Sequence, residues 1–361
     1  MSQKKVTNYW LLIVALMISG AACFVSCSSD NGSSRRQYEA EVYYYLNKAN
    51  ERENPGETTI DVHRATIWRL EERNQKEELP NKFRTCRDEL TAAPTDEYSL
   101  PEPNYVPSRE GLDELCISGS ARFSLSEMEV LMQQIDELAG DRPKVMIDLR
   151  GECHGFVNGM QMSLYGFRNW SNIGRHRDEI LAIEEKALED IKGTIITGWT
   201  ISSDNDYDKA EPSLIAVDET STEKQAVENA GWEYRRVTAL DHTFPCDEII
   251  DQFLEVYRSL PKDAWIHFHG HKGNGRTTTF MSFYDMLRNP NVPLKDILYR
   301  QAMLGGANLY YKGDAATELE WRVPLYREIN WMIPLLYDYV QDNKDNGYQV
   351  SWSEWKKDTF R

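Results

Sequence analysis

The residues best suited to chemistry lie in one run, His269-Gly270-His271-Lys272-Gly273-Asn274-Gly275-Arg276-Thr277. A buried-strand pattern at 264–268 precedes it and a helical pattern from 277 to about 287 follows. Backbone N–H groups and a helix N-terminus can therefore converge on one anion. Gly273 and Gly275 permit amide-inward curvature, and Arg276 offers a planar fork for two phosphate oxygens. A strand, a Gly-rich turn, an Arg and a helix in this order predict a phosphate cradle.

A cradle needs a scaffold, and the preceding sequence supplies one. Ser124 and Glu127 form a capping box before an apolar face of Met128, Leu131, Met132, Ile135 and Leu138. Residues 144–149 read as a buried strand, 178–192 as a helix and 193–200 as a strand. Thr222 and Gln225 cap a helix that stops at Gly231, and 233–240 reads as a strand. Pro245 stands where a helix would begin, with Ile249, Ile250, Phe253, Leu254, Tyr257 and Leu260 on one face. This alternation predicts an α/β fold, a mostly parallel sheet covered by helices on both faces. Ligands of such sheets sit beyond the C-terminal ends of the strands, where the Gly-rich run falls.

These residues resemble the protein-tyrosine-phosphatase-like phytases, bacterial cysteine phosphatases acting on inositol polyphosphates. Their loop has the form HCxxGxGRT, and their general-acid loop reads like Asp241-His242-Thr243-Phe244-Pro245. Leu79-Pro80 with Phe83-Arg84, the stretch from Gly111 to Ser124, and Asp148-Leu149-Arg150 with His154-Gly155 also match. So do the run from Asp296 to Gln301 and Gly347-Tyr348-Gln349, and the resemblance spans roughly residues 65–355. It implies a protein tyrosine phosphatase-like core beside a small partial β-barrel, with barrel strands from near 79–90 and 193–240. It places Asp241 as general acid and Arg276 on the phosphate and its transition state. Arg84, Asp148, His242, Arg322 and Tyr326 become substrate contacts, with His269, His271, Lys272, Gly273, Asn274, Gly275 and Thr277 of the loop. No cofactor and no metal is implied.

One position departs from the pattern. Where the family carries its nucleophilic Cys, this chain has Gly270, which has no side chain to attack phosphorus. Losing such a nucleophile costs roughly 10⁶ in rate, about 8 kcal/mol of barrier. Losing a thiolate also removes a negative charge from an anion site, so binding need not weaken. Three readings follow: a phosphate-binding pseudo-phosphatase, a phosphatase using water or another nucleophile, and a scaffold with a vestigial pocket. Around 321–329 relatives carry several lysines, whereas this chain has Arg322, Pro324 and Ile329, with Asp178 where some place a basic group. That thinning counts against a fully phosphorylated ligand.

The N-terminus reads as an address. Lys4 and Lys5 precede an apolar run from Trp10 to Val25, shorter than the ~20 residues of a membrane span. Small residues before Cys27 resemble a bacterial lipobox, with Phe24 where Leu is more usual. The expected organisation is a signal at 1–26, lipidation at Cys27, a Ser/Gly/Asn tether at 27–40, a charged arm at 41–78 and the phosphatase-like domain at 79–361. A plain signal peptide is the alternative; both predict export, with the lipid placing the protein on a membrane in the periplasm or at the cell surface. In that oxidising setting Cys86, Cys116, Cys153 and Cys246 have three complete pairings open to them, besides remaining free.

Lys and Arg number 41 against 58 Asp and Glu, a formal net charge of −17 that excludes a general nucleic-acid binder but not a small basic pocket. His267, His269 and His271 alternate as metal ligands on one strand face would, though the strand should end near Phe268. Asn169-Trp170-Ser171 matches a glycosylation acceptor, which means little beside a bacterial lipoprotein signal.

Overall fold

The computed structural model describes residues 66–72, 76–91, 100–201, 210–314, 316, 318 and 322–359. The expected signal, lipidation at Cys27 and tether, and the expected arm as far as residue 65, lie outside the described residues. In chain order the strands and helices begin β1 (Ile67–Glu72), β2 (Arg84–Thr85), β3 (Ile117–Ser120), α1 (Leu125–Ala139), β4 (Lys144–Asp148), β5 (His154–Val157) and β6 (Met160–Tyr165). They continue α2 (Arg177–Ile191), β7 (Ile195–Thr200), β8 (Glu211–Ala216), β9 (Thr220–Ser221), α3 (Glu223–Asn229), β10 (Glu233–Arg236) and α4 (Asp247–Ser259). The last are β11 (Trp265–His269), α5 (Gly275–Arg288), α6 (Leu294–Met303), α7 (Val323–Asn343) and α8 (Trp352–Thr359).

The core sheet has the order β10-β4-β11-β3-β2, parallel except where β2 meets β3. Its central strands are buried on both faces: β4 carries Val145, Met146 and Ile147 in succession, and β11 buries Trp265, Ile266 and Phe268 together with His267 and His269. On one face α1 sets Met128, Leu131, Met132 and Ile135 against Met146, Trp232, Tyr234 and Trp265. On the other, Phe253 of α4 meets Phe268, Phe280 and Phe283. Both expected capping boxes form, Ser124 with Glu127 and Thr222 with Gln225, each side-chain cap contributing about 1 kcal/mol. Pro245 falls just before the Cys246 N-cap of α4 rather than within its first turn.

The second sheet differs from expectation. Its order is β8-β7-β1-β6-β5-β9, an open sheet with β8 and β9 at its edges. Neither Arg84–Thr85 nor the 233–240 region enters it; β2 pairs with β3, and β10 with β4, in the core sheet. From the expected 193–240 region β7, β8 and β9 do enter it, and β1 and the β5–β6 hairpin complete it, β1 lying inside the stretch read as a charged arm. Asn158-Gly159, both at positive φ (50° and 77°), turns that hairpin. Asn-Gly is the preferred pair for such a two-residue turn, so a local signal for the hairpin was present.

Ionised groups lie buried where the two sheets meet. Arg236 donates to Asp148 Oδ2 at 2.6 Å, Glu184 Oε2 at 3.2 Å, and the carbonyls of Arg150 and Glu152 at 2.7 and 2.9 Å. His154 lies 3.1 Å from both Asp148 and Glu223. Burial, Arg150 and Arg236 push this imidazole down, yet Asp148 and Glu184 prevail and raise it to about 9, so it is cationic at neutral pH. The four cysteines among the described residues are free; Cys86, Cys116 and Cys153 are buried and Cys246 is exposed. Burial raises the Cys86 thiol to about 11 and Cys153 to about 12, so neither is a ready nucleophile.

Arg236→Ala strands Asp148 and Glu184 without their main cation. The expected loss is about 3–5 kcal/mol of unfolding free energy, read by urea denaturation followed by circular dichroism. A loss below about 1 kcal/mol, the scale of a surface pair, would show that the network does not depend on this residue.

Candidate phosphate-binding site

The Gly-rich run links the end of β11 to the start of α5 at the C-terminal edge of the core sheet. Gly273 has φ 68°, and a Cβ there would lie 2.6 Å from the Ala121 nitrogen, so the loop passes against the end of β3 only as glycine. A Cβ on Gly275 would meet nothing within 4 Å, which leaves that side of the loop open. Gly270 has no positive φ, and a Cβ built on it would sit 3.2 Å from Thr277 Oγ1 and 3.9 Å from Arg276 Nε. A side chain at position 270 would face the Arg276 side chain and the Thr277 hydroxyl, and the hydroxyl would have to give way by a few tenths of an ångström to admit it.

Arg276 is buried and held from behind. Its two Nη atoms donate to Glu152 at 2.7 and 3.1 Å, Nη1 also reaches the Ala239 carbonyl at 3.1 Å, and Nη2 lies 3.1 Å from Asp241 Oδ1. Burial would raise the Glu152 carboxyl, but Arg276 and Arg150 bring it down to about 2. Asp241 is opposed by burial in the same way, and Arg276, His242 and His271 hold it well below the usual carboxylate range. Asn169 Nδ2 donates to its Oδ2 at 2.9 Å, and the Trp170 indole donates to its backbone carbonyl at 2.9 Å. His242, at φ 67°, turns the chain so that its own N–H meets Asp241 Oδ1 at 3.1 Å. In this state Asp241 is a carboxylate paired with Arg276. To act as an acid it would have to leave that partner and take up a proton.

Several expected contacts face elsewhere. The His271 ring lies 2.7 Å from Glu71 Oε2 of β1; burial lowers it to about 4 and Glu71 only partly offsets this, so a neutral ring donates to an ionised carboxylate. His269 is fully buried, 2.6 Å from Glu223 and against the Phe123 ring. Asp148 is likewise buried and accepts from Tyr234, Arg236 and the Arg150 N–H. Arg84 donates to the Gly273 carbonyl at 2.9 Å and Thr278 Oγ1 at 3.3 Å, bracing the loop from beneath, and burial lowers it to about 10. All four were expected at the ligand; buried charge demands an internal partner, and that demand turned them inward. Asn274 is the exposed N-cap of α5, and Tyr326 packs edge-on against Tyr311 at 4.9 Å.

The alternating histidines do not form a metal site. His267 bonds Ser118 and Ser120 at 2.9 and 3.0 Å, while His271 turns to Glu71. Asp148, Glu223 and His269 do bring ligand-type atoms within 4.8 Å of one another. Arg236 and protonated His154 already supply cations to those carboxylates.

Positive charge gathers at the mouth instead. Burial lowers the exposed Lys272 amine, as do Arg69, Arg322 and Arg122 nearby, and Arg322 also presses on His242. A cavity of about 370 Å³ beside the loop is lined by Asn81, Lys82, Ala121, Arg122, Glu127, Lys272 and Asn274. A larger one of about 560 Å³, along α1 and Trp232, carries Glu129, Asp136 and Glu137 and is unsuited to an anion. Glu71, Glu152, Asn169 and Trp170 were missed by sequence reasoning. Only Glu152 had a local signal, an acidic residue just past Arg150 at the end of a buried strand.

Glu328 of α7 touches this region from behind. It is 3% exposed, accepts from the Phe244 N–H in the Asp241 loop, and burial raises its carboxyl to about 8. The native state then keeps a proton that the unfolded chain loses above about 4.5, so this group's contribution to stability falls as pH rises between those values. Glu328→Gln should remove that slope, up to about 1.4 kcal/mol per pH unit, in urea titrations across the range. An unchanged slope would mean that Glu328 is ionised in the fold.

The family model for PTP-like phytases, described as "Inositol hexakisphosphate", matches residues 147–288, which hold Arg276, Asp241 and Glu152. The tandemly repeated protein tyrosine phosphatase like phytase of Mitsuokella multacida superposes with a TM-score of 0.77 at 34% identity, over 90% of this chain and 56% of that one. The PTP-like myo-inositol phosphatase from the same organism, solved with myo-inositol-(1,3,4,5)-tetrakisphosphate, gives the same values. A PTP-like phytase from Bdellovibrio bacteriovorus matches at 26% identity and a TM-score of 0.61, over 83% of this chain and 98% of its own. Effector protein hopD2 of Pseudomonas syringae pv. tomato is 28% identical over 250 residues. The chain spans 52% of that effector and 56% of the Mitsuokella chains, about half of each. With the core sheet, the loop and the Asp241 turn arranged as described, the chain belongs to the protein-tyrosine-phosphatase-like phytase family.

Proposed function

We propose that this protein binds inositol polyphosphates or related phosphate esters in the 269–277 loop without useful turnover. The observation that carries the reading is Gly270 at the floor of an otherwise complete cradle. Arg276 is in place, Asp241 is held beside it, and the Thr277 hydroxyl faces the empty position. The cationic mouth of Lys272 and Arg322 supports an anionic ligand, as does the inositol tetrakisphosphate complex of a structural neighbour. A drifting pocket on a scaffold would have no reason to keep Glu152, Arg276 and Asp241 in register. Export and lipidation at Cys27 are part of the proposal and rest on the N-terminal pattern.

Removing a thiolate from an anion site lowers repulsion, so the unsubstituted protein should bind inorganic phosphate at least as tightly as Gly270→Cys at neutral pH. Isothermal titration of inositol hexakisphosphate should give saturable heat for both proteins. Phosphate release should appear only with Gly270→Cys, with a gain approaching the roughly 10⁶ that a nucleophile is worth. Sustained release from the unsubstituted protein would overturn the reading and favour attack by water.

A further inference from the structure

The cavity of about 370 Å³ beside the phosphate loop is lined by three cations, Lys82, Arg122 and Lys272, and by Asn81 and Asn274. Gly270, Arg276 and Asp241 are not among its walls, so it is distinct from the cradle. Its volume is that of a small-ligand pocket, about 300–1,000 Å³. Neither Lys82 nor Lys272 has an ion-pair partner among the described residues. The carboxylate on the wall, Glu127, is already engaged: its Oε2 accepts the Ser124 N–H at 2.7 Å in the α1 capping box. Arg122 is fixed in place, donating to the carbonyls of His271 at 3.0 Å and Glu71 at 2.8 Å.

The backbone holds these cations together. Lys82 has φ 59°, a left-handed conformation that disfavours any residue with a Cβ. The Phe83 N–H donates to the Pro80 carbonyl at 3.1 Å, closing a turn with Lys82 in its third position. The Ala121 N–H meets the Asn81 carbonyl at 2.8 Å, which ties that turn to the end of β3. Arg84 Nη1 donates both to the Lys82 carbonyl at 3.1 Å and to the Gly273 carbonyl at 2.9 Å. One buried guanidinium therefore fixes the Lys82 turn against the phosphate loop, and the two lysine walls cannot drift apart independently.

We infer that this cavity is a second phosphate subsite, in which Lys82, Arg122 and Lys272 bind a phosphate group other than the one seated in the loop. The inference rests on the proposed phosphate-binding function and deepens it: the protein selects ligands bearing two or more phosphates over monoesters. A phosphate monoester carries nearly two negative charges at neutral pH and three strong acceptor oxygens, which matches a site with surplus cations and fixed donors. The group is either a second phosphate of the ester held by the loop or a separate phosphate ion, and the titrations below distinguish them.

The test is isothermal titration of the full chain with inorganic phosphate, myo-inositol monophosphate and inositol hexakisphosphate. Lys82→Gly removes the cation and suits the positive φ; Lys82→Asn, which tolerates the same backbone, is the second variant, and thermal melts establish that each is folded. Both should weaken hexakisphosphate about tenfold, as expected for a hydrogen bond to a charged group, and leave the monophosphate within about twofold. Lys186→Gln, on an exposed lysine of α2 that lines neither site, should change neither. Two phosphate ions per unsubstituted chain, falling to one in Lys82→Gly, would show that the subsite takes free phosphate. One ion per chain in both, with hexakisphosphate weakened, would show that it is filled by a second phosphate of the same ester. Unchanged hexakisphosphate binding and phosphate stoichiometry in both Lys82 variants overturn the inference. Equal weakening of monophosphate and hexakisphosphate also overturns it, since that marks a general field and not a second seat. Monophosphate binding by the unsubstituted protein leaves the proposed function intact in either case, whereas its silence toward all three ligands overturns that function.

Discussion

A guanidinium aimed into a buried anion loop needs a counter-charge, and the paired contact of Arg276 with Glu152 meets that need. Taking either ion out of water alone costs several kcal/mol, so each requires the other. Glu152 is also gripped by Arg150 at 2.9 Å, and Arg150 lies 3.9 Å from Glu71 of β1. Glu71 in turn holds His271 at 2.7 Å and lies 3.2 Å from Arg122. A chain of alternating charges thus runs from the phosphate loop of the core sheet into the second sheet. The shape of the loop depends on a strand that carries none of its ligand-facing groups.

That dependence accounts for the otherwise unusual burial of so many ionised residues. Arg84, Arg150, Arg236, Asp148, Glu152 and Glu223 are each at most 5% exposed. Each has a partner of opposite charge or a carbonyl to accept from it, as buried charge requires. The network keeps the Arg276 fork from collapsing onto the loop it serves. It also explains why Asp241 is a carboxylate here: the cation that would bind phosphate is the one that lowers its proton affinity.

Glycine at 270 is a chemical change with little structural cost. The backbone there is unstrained, the cradle persists, and the deleted side chain leaves a donor facing the open floor. Binding and turnover separate because they draw on different groups. Binding uses amides, guanidinium and rim cations, whereas turnover needs a nucleophile that these groups only assist.

Local signals determined much of this protein. The two capping boxes, the apolar faces of α1 and α4, the buried strands and the Gly-rich turn each lie within a few residues of sequence, and each formed close to the expected place. The loop composition also determined what was missing, since Gly270 is visible without a structure. Tertiary structure alone decided which way the polar side chains point. His271 meets Glu71 across 200 residues and Arg276 meets Glu152 across 124, pairings that no local window contains. It also decided that β1 and the β5–β6 hairpin join β7, β8 and β9 in the second sheet while β2 and β10 join the core. Strand partnership depends on which edges are left unpaired once the core has formed, and buried charges turn toward whichever counter-charge that packing brings within reach.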